Sequence, residues 1–254
     1  SMGIGKFFGL IPDAFKGSNL YGVELDTVTG KIAQKLYPSA KIKICGFEKS
    51  NFQENFFDLA IGNVPFGDYH IMDHKYNLLI HDYFLVKVMD LLRAGGLAIF
   101  LTTKGTLDKK DSKARKLLAK KAELVGAIRL PDTTFGDTKA VSDLLFFKKR
   151  ETNIEEIPSW VDLGMDANGY TINQYFVEHP EMILGEMKEI SGPYGQRLTC
   201  EFDGDLKQAL KNVIKNLQTT YKNVEIEEIE SKEDCILADE NTNNYSFAKV
   251  DGKI

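Results

Sequence analysis

Short apolar runs alternate with amphipathic stretches through the first 150 residues, and that alternation predicts strands and helices in turn. Leu20-Tyr21-Gly22-Val23-Glu24 reads as a short strand ending in an acid. Asp26 stands where a helix cap belongs, before Val28, Ile32, Ala33 and Leu36 at helical spacing, with Pro38 just past the end. Ile42-Lys43-Ile44-Cys45 predicts a further strand, followed by Gly46-Phe47-Glu48. The run from Phe56 to Gly62 reads as a buried strand that ends in Asn63-Val64-Pro65-Phe66. Residues 67–79 read as a loop. A helix is expected from about His81 to Leu92, closed by Gly95-Gly96, and Leu97 to Leu101 as a buried strand. Lys109 to Lys121 has the pattern of a basic amphipathic helix. Leu124–Leu130 and Ser142–Phe147 predict two more strands, which lack a helix between them and so suggest an antiparallel hairpin at a sheet edge. The implied fold is α/β, a mostly parallel sheet with helices on both faces. We divide the chain into a first domain, residues 1–150, and a smaller mixed extension, residues 151–254. The extension carries a helix from about Leu206 to Tyr221, with a stripe of Leu206, Leu210, Val213, Ile214 and Leu217.

Charge sharpens that division. Residues 1–150 hold 23 Lys and Arg against 16 Asp and Glu, whereas residues 151–254 hold 9 against 21. A basic first part suits an anionic partner such as nucleic acid, and an acidic tail suits a protein partner or a solvated surface. With 43% apolar and 27% charged residues the composition is that of an ordinary globular protein. No apolar run reaches membrane-spanning length and no signal peptide is visible, so no membrane association is expected. Cys45, Cys200 and Cys235 are odd in number and far apart, which predicts no disulfide framework and a cytoplasmic location.

Two stretches carry candidate chemistry, and two others invite a chemical reading that their spacing does not support. In Asn63-Val64-Pro65-Phe66, the amide and the next backbone carbonyl can accept hydrogen bonds from an exocyclic NH2 group. Proline stiffens the turn, and the aromatic offers a flat face for a planar base. Gly3-Ile4-Gly5 lets the backbone pass close to a ligand, and Glu24 ends a strand about 20 positions on. That is the nucleotide-site arrangement of doubly wound folds, in which the carboxylate accepts hydrogen bonds from ribose hydroxyls. Lys104-Gly105-Thr106 lacks the glycine pattern of a phosphate loop. His70, Asp73, His74, His81 and Asp82 match no metal spacing and read as a solvated loop, so no metal is expected.

Taken in order, these segments resemble one family. Gly3-x-Gly5, Glu24, Gly46-Phe47-Glu48, Asn63-Val64-Pro65-Phe66, the Gly-Gly strand and Leu130-Pro131-x-x-x-Phe135 look like the N6-adenine DNA methyltransferases. Type I restriction methylation subunits, and the methylase domains of large helicase–methylase proteins of mobile elements, show the same ordered set. The resemblance is strong over residues 1–150 and continues through 172–180 and 191–195. It implies a Rossmann-like methyltransferase sheet with S-adenosylmethionine as cofactor. Gly3 and Gly5 would line its methionine end, Glu24 would hold its ribose, and Phe47 and Glu48 would flank its adenine. Two departures stand out. Val64 occupies a position where the family usually has proline, and the family's first strand, with its acid–proline pair, would precede Ser1. The sheet is therefore expected to be incomplete at its first strand.

The leading expectation is methyl transfer to adenine N6 in DNA, with Asn63, Val64, Pro65 and Phe66 as catalytic residues and flanking domains of a larger protein as partners. Three other readings stay open: the same chemistry on RNA, on a protein glutamine amide, or a degenerate methylase fold kept as an interaction module.

Overall fold

The computed structural model of the chain describes residues 1–136, 140–192 and 195–220, and the account below concerns the compact unit that runs to residue 221. In chain order the elements are α1 (Lys6–Gly9), β1 (Tyr21–Glu24), α2 (Thr27–Leu36), β2 (Lys41–Ile44), β3 (Phe57–Asn63), β4 (His70–Met72), β5 (Asn77–Leu79) and α3 (Ile80–Leu91). Then follow β6 (Leu92–Thr103), α4 (Gly105–Asp108), α5 (Lys113–Lys121), β7 (Ala122–Leu130) and β8 (Ser142–Lys149). The remainder holds β9 (Leu163–Met165), β10 (Thr171–Asn173), α6 (Gln174–Glu178), β11 (Glu186–Gly192), β12 (Gly195–Glu201) and α7 (Leu206–Thr220).

The fold is α/β, and its core is a mixed sheet in the order β3-β6-β8-β7. β3 and β6 are parallel and joined through α3, a βαβ unit. β8 runs antiparallel to both β6 and β7, so the expected hairpin sits at the sheet edge with β7 outermost. A second βαβ unit, β1-α2-β2, forms its own parallel pair. Asp26 caps α2 as its sequence position suggests, its carboxylate accepting from Thr29 N at 2.7 Å.

No strand among the described residues lies between β1 and β3, so one backbone edge of each is left without a ladder partner. Two contacts bridge them instead. Met2 N donates to Val23 O at 3.0 Å, and Ser1 Oγ donates to Asn63 O at 3.0 Å. At the far ends of the strands, the Tyr21 ring packs edge-on to Phe57, centroids 5.2 Å apart.

Three local readings change. Residues 67–79 hold the β4–β5 hairpin in place of a plain loop, and Gly95-Gly96 lies inside β6 rather than ahead of it. The helix expected over Lys109–Lys121 begins only at Lys113, as α5, and the short α4 precedes it. Described residues between Trp160 and Leu217 share the first domain's core. Trp160, Ile172, Phe176, Met182, Leu184, Met187, Val213 and Leu217 belong to one apolar cluster with Tyr83, Leu85, Phe100, Leu118 and Phe147.

Buried charges lock this core. The Arg129 side chain is fully buried and forks onto Asp143, Nε to Oδ1 and Nη2 to Oδ2, both at 2.9 Å. Its Nη2 also donates to Asp108 Oδ1 at 3.0 Å, and Phe176 covers the guanidinium at 4.3 Å from the ring centroid. Burial works against the guanidinium's charge, but the two carboxylates outweigh it and hold Arg129 above its usual value. Burial pushes the Asp143 carboxyl up, and the two-pronged Arg129 guanidinium pulls against that rise. Asn173 ties the extension in, its Nδ2 donating to Leu107 O and Trp160 O.

Candidate active site

Of the residues singled out by sequence, Glu24 and Asn63 end β1 and β3, Phe47 and Glu48 follow β2, and Gly3 and Gly5 follow the Ser1–Met2 segment that bonds to both β1 and β3. Gly3 and Gly5 both have positive φ, 60° and 85°, where a side chain would be strained. They face different surroundings. A Cβ on Gly3 would meet nothing within 4 Å, so this residue opens onto free space. Gly5 is buried, and a Cβ there would stand 2.7 Å from the Tyr37 ring. Gly3 therefore borders open space, while Gly5 shapes the turn against helix α2's end.

Glu24 is buried and organises this corner. Its Oε2 accepts from Gly3 N at 2.8 Å, and its Oε1 accepts from Leu25 N and Asp26 N, each at 3.0 Å. A carboxylate has about four acceptor sites, so the three backbone donors leave room for one hydroxyl. Phe47 lies against helix α3, its ring centroid 4.7 Å from Phe84. Glu48 folds back over Gly46, its carboxylate occupying the space a Cβ on Gly46 would need.

The Asn63-Val64-Pro65-Phe66 turn is anchored at its second residue. Val64 is 3% exposed and belongs to the core cluster. Its N–H donates to Leu101 O at 3.1 Å, carrying the β3–β6 pairing one residue past the strand. Proline has no N–H and could not make that bond. The departure at position 64 thus exchanges ring stiffness for a hydrogen bond and a buried side chain. The Asn63 amide is exposed and has no hydrogen-bond partner among the described residues, and neither has the Val64 carbonyl. Phe66 is 51% exposed, its ring available for contact.

Sequence reasoning missed a hub on helix α3. Asp73 accepts from Tyr83 Oη at 2.7 Å, from Lys75 N and Tyr76 N at 2.8 Å, and from Lys87 Nζ at 3.3 Å. Burial pushes its carboxyl up, but these donors outweigh burial and hold it well below the usual range. Asp82 is likewise buried and paired with Lys109. Neither is a solvated loop residue; their spacing gave no sign, because their side-chain donors Tyr83, Lys87 and Lys109 come from 10 or more positions away. Among the described residues no group of three His, Cys, Asp or Glu is placed to hold a metal, and no helix is long and apolar enough to cross a membrane.

No family model matches the chain. Over 153 residues it is 30% identical to the defense against restriction protein B of Escherichia phage P1, a match that takes in 56% of this chain and 7% of that protein. Among solved structures it is similar to a putative class I S-adenosylmethionine-dependent methyltransferase from Listeria monocytogenes, with 18% identity, a TM-score of 0.49, and coverage of 62% of this chain and 55% of that one. It is also similar to the M protein of the type I restriction enzyme EcoKI, with 13% identity, a TM-score of 0.49, and coverage of 79% and 58%. A modification subunit of a putative type I restriction enzyme from Vibrio vulnificus matches with 17% identity, a TM-score of 0.47, and coverage of 77% and 49%.

Proposed function

We propose that the protein transfers a methyl group from S-adenosylmethionine to the N6 amino group of adenine in DNA. The observation that carries this reading is the pair of unengaged acceptors, the Asn63 amide and the Val64 carbonyl, held at the strand end that the Ser1–Met2 bridge links to Gly3 and Glu24. The 30% identity to a phage protein named for defence against restriction agrees with DNA as substrate and with a mobile-element setting.

The residues present suit the cofactor. Gly3 offers an open backbone edge, and Glu24 keeps an acceptor site for a ribose hydroxyl. Phe47 and Glu48 would flank the adenine, and Gly5 would act through the turn it shapes. When bound, S-adenosylmethionine supplies an electrophilic methyl group. The chain's own work is on the acceptor. The N6 lone pair of adenine is delocalised into the ring, which makes it a poor nucleophile. Hydrogen bonds from its NH2 to Asn63 Oδ1 and to the Val64 carbonyl localise that pair and aim it, so positioning supplies much of the catalysis. The base must leave the helix to reach the turn, and the exposed Phe66 ring would stack on it. Pro65 limits the turn's freedom between the two. The proposed catalytic residues all lie within 1–150, and residues 151–254 carry the acidic balance of the sequence. Flanking domains of a larger protein would be its further partners, and the cytoplasm its location.

The test pairs thermal stability with radiolabelled methyl transfer to unmethylated, adenine-containing DNA. Asn63→Ala is expected to lose transfer while melting like the wild type and binding cofactor, because the amide touches neither core nor cofactor. Full activity in a stably folded Asn63→Ala protein overturns the assignment. RNA and ribosomal proteins run in parallel would detect a different acceptor, and an inactive wild type on all of them would favour an interaction module.

A further inference from the structure

A second feature lies one strand away from the Asn63 turn. At the end of β6, an open pocket of about 440 Å³ is lined by Thr103, Lys104, Asp108, Lys109, Arg197 and Thr199, among others. Three of these side chains are cationic and one is acidic. Lys109 is engaged with Asp82, and the Asp108 carboxylate faces Arg129 at 2.9 Å rather than the pocket's cations. Thr199 Oγ1 donates to Asp132 at 2.8 Å. Lys104 is different. Among the described residues its ammonium pairs with no carboxylate and donates to no acceptor. Burial pushes it below the ordinary lysine range, with Arg129 and Arg197 adding to that effect and Asp108 and Asp143 opposing it. A half-buried, unpaired cation is a cost to the fold unless an anion completes it.

Position suggests which anion. Thr103 follows Leu101 by two residues on β6, and Leu101 pairs with Asn63 on β3. The Asn63 turn and the Lys104 pocket therefore leave the same sheet at the same end, from parallel neighbours about 4.8 Å apart. A nucleotide held with its base at Asn63 and Phe66 carries its phosphodiester one sugar away from that base, within reach of the neighbouring strand end. We propose that the Lys104 pocket binds a backbone phosphate of the DNA strand carrying the target base, with Lys104 as its main ligand and Lys109 and Arg197 at its rim. The inference rests on the reading of DNA as substrate and adds a residue that holds it.

The experiment measures binding of a fluorescent, adenine-containing duplex by anisotropy across a range of salt concentrations, for the wild type, Lys104→Met and Lys104→Arg. The site predicts that Lys104→Met weakens binding severalfold and lowers the slope of log affinity against log salt by about one. Lys104→Arg should restore both. S-adenosylmethionine affinity should not move, and the melting temperature of Lys104→Met should hold or rise, because the variant removes an uncompensated charge. Inorganic phosphate should compete with the duplex more weakly for Lys104→Met than for the wild type; competition that ignores Lys104 overturns the site. A wild type that binds the duplex, with an unchanged slope in a folded Lys104→Met, overturns the phosphate site alone. A wild type that binds no duplex overturns both this site and DNA as substrate.

Discussion

The two βαβ units of this protein are built to different standards. In β3-α3-β6 the crossover helix is buried along most of its length, with Tyr83, Leu85, Val86 and Met89 at 0% exposure. Asp73, Asp90 and Arg129 are each fixed by several donors or acceptors around it. In β1-α2-β2 the helix buries Gly30 and Ala33, and its larger apolar residues face outward: Val28 is 67% exposed, Ile32 44% and Leu36 55%. Yet the candidate site draws on both. Asn63 and Val64 come from the packed unit, Gly3 and Glu24 from the open one, and Ser1–Met2 join them. Asn63 and Val64 are thus held by core packing, whereas the Gly3 corner is held by one carboxylate collecting backbone N–H groups.

Variants can break that contrast. The largest effect is expected in the packed unit's own sheet: Arg129→Met leaves Asp143 and Asp108 buried without their counter-charge, at a cost of about 3–5 kcal/mol. Urea unfolding would show it as a lowered midpoint, and a loss below about 1 kcal/mol would mean that the charges do not lock the core. In the open unit, Glu24→Ala should cost about 1.5–3 kcal/mol of S-adenosylmethionine affinity, the scale of hydrogen bonds to a charged acceptor. Calorimetry would detect it; unchanged affinity removes Glu24 from the cofactor site.

Asp73→Asn should destabilise by about 1–2 kcal/mol at neutral pH through its lost charge-assisted bonds. Its pH dependence has a definite sign. The folded protein holds this carboxyl low, so the unfolded chain takes up the proton first as pH falls. The stabilisation is fully present above the ordinary carboxylate value of about 4 and is lost as pH falls toward the folded one. The gap between wild type and Asp73→Asn should therefore narrow below about pH 4. Thermal melts at several pH values would check it, and a gap that does not depend on pH would discard the assignment. The smallest effect is Ile32→Gln, expected within about 0.5 kcal/mol because the side chain is already half in water. A larger loss in the melting temperature would show that something covers α2 in solution.

Local signals in the sequence were enough for the alternation of strands and helices, the cap at Asp26, the edge hairpin, and Asn63 at a strand end. Each of these is a local signal, set by periodicity or by the chemistry of one turn. The same locality explains what it missed. Three-residue strands such as β4 and β5 are too short for a period, so residues 67–79 read as a loop. Gly3 and Gly5 look alike in sequence, and only the Tyr37 ring, brought in from the far end of α2, separates an open glycine from a buried one. The proline missing at position 64 suggests a looser turn until the Leu101 carbonyl is seen to hold its N–H. Asp73, Arg129 and Lys104 carry charges whose meaning depends on partners 10 to 21 positions away, or on having none. Tertiary structure decided these, because burial and pairing are properties of what the fold brings together, and a buried charge is defined by its neighbours in space.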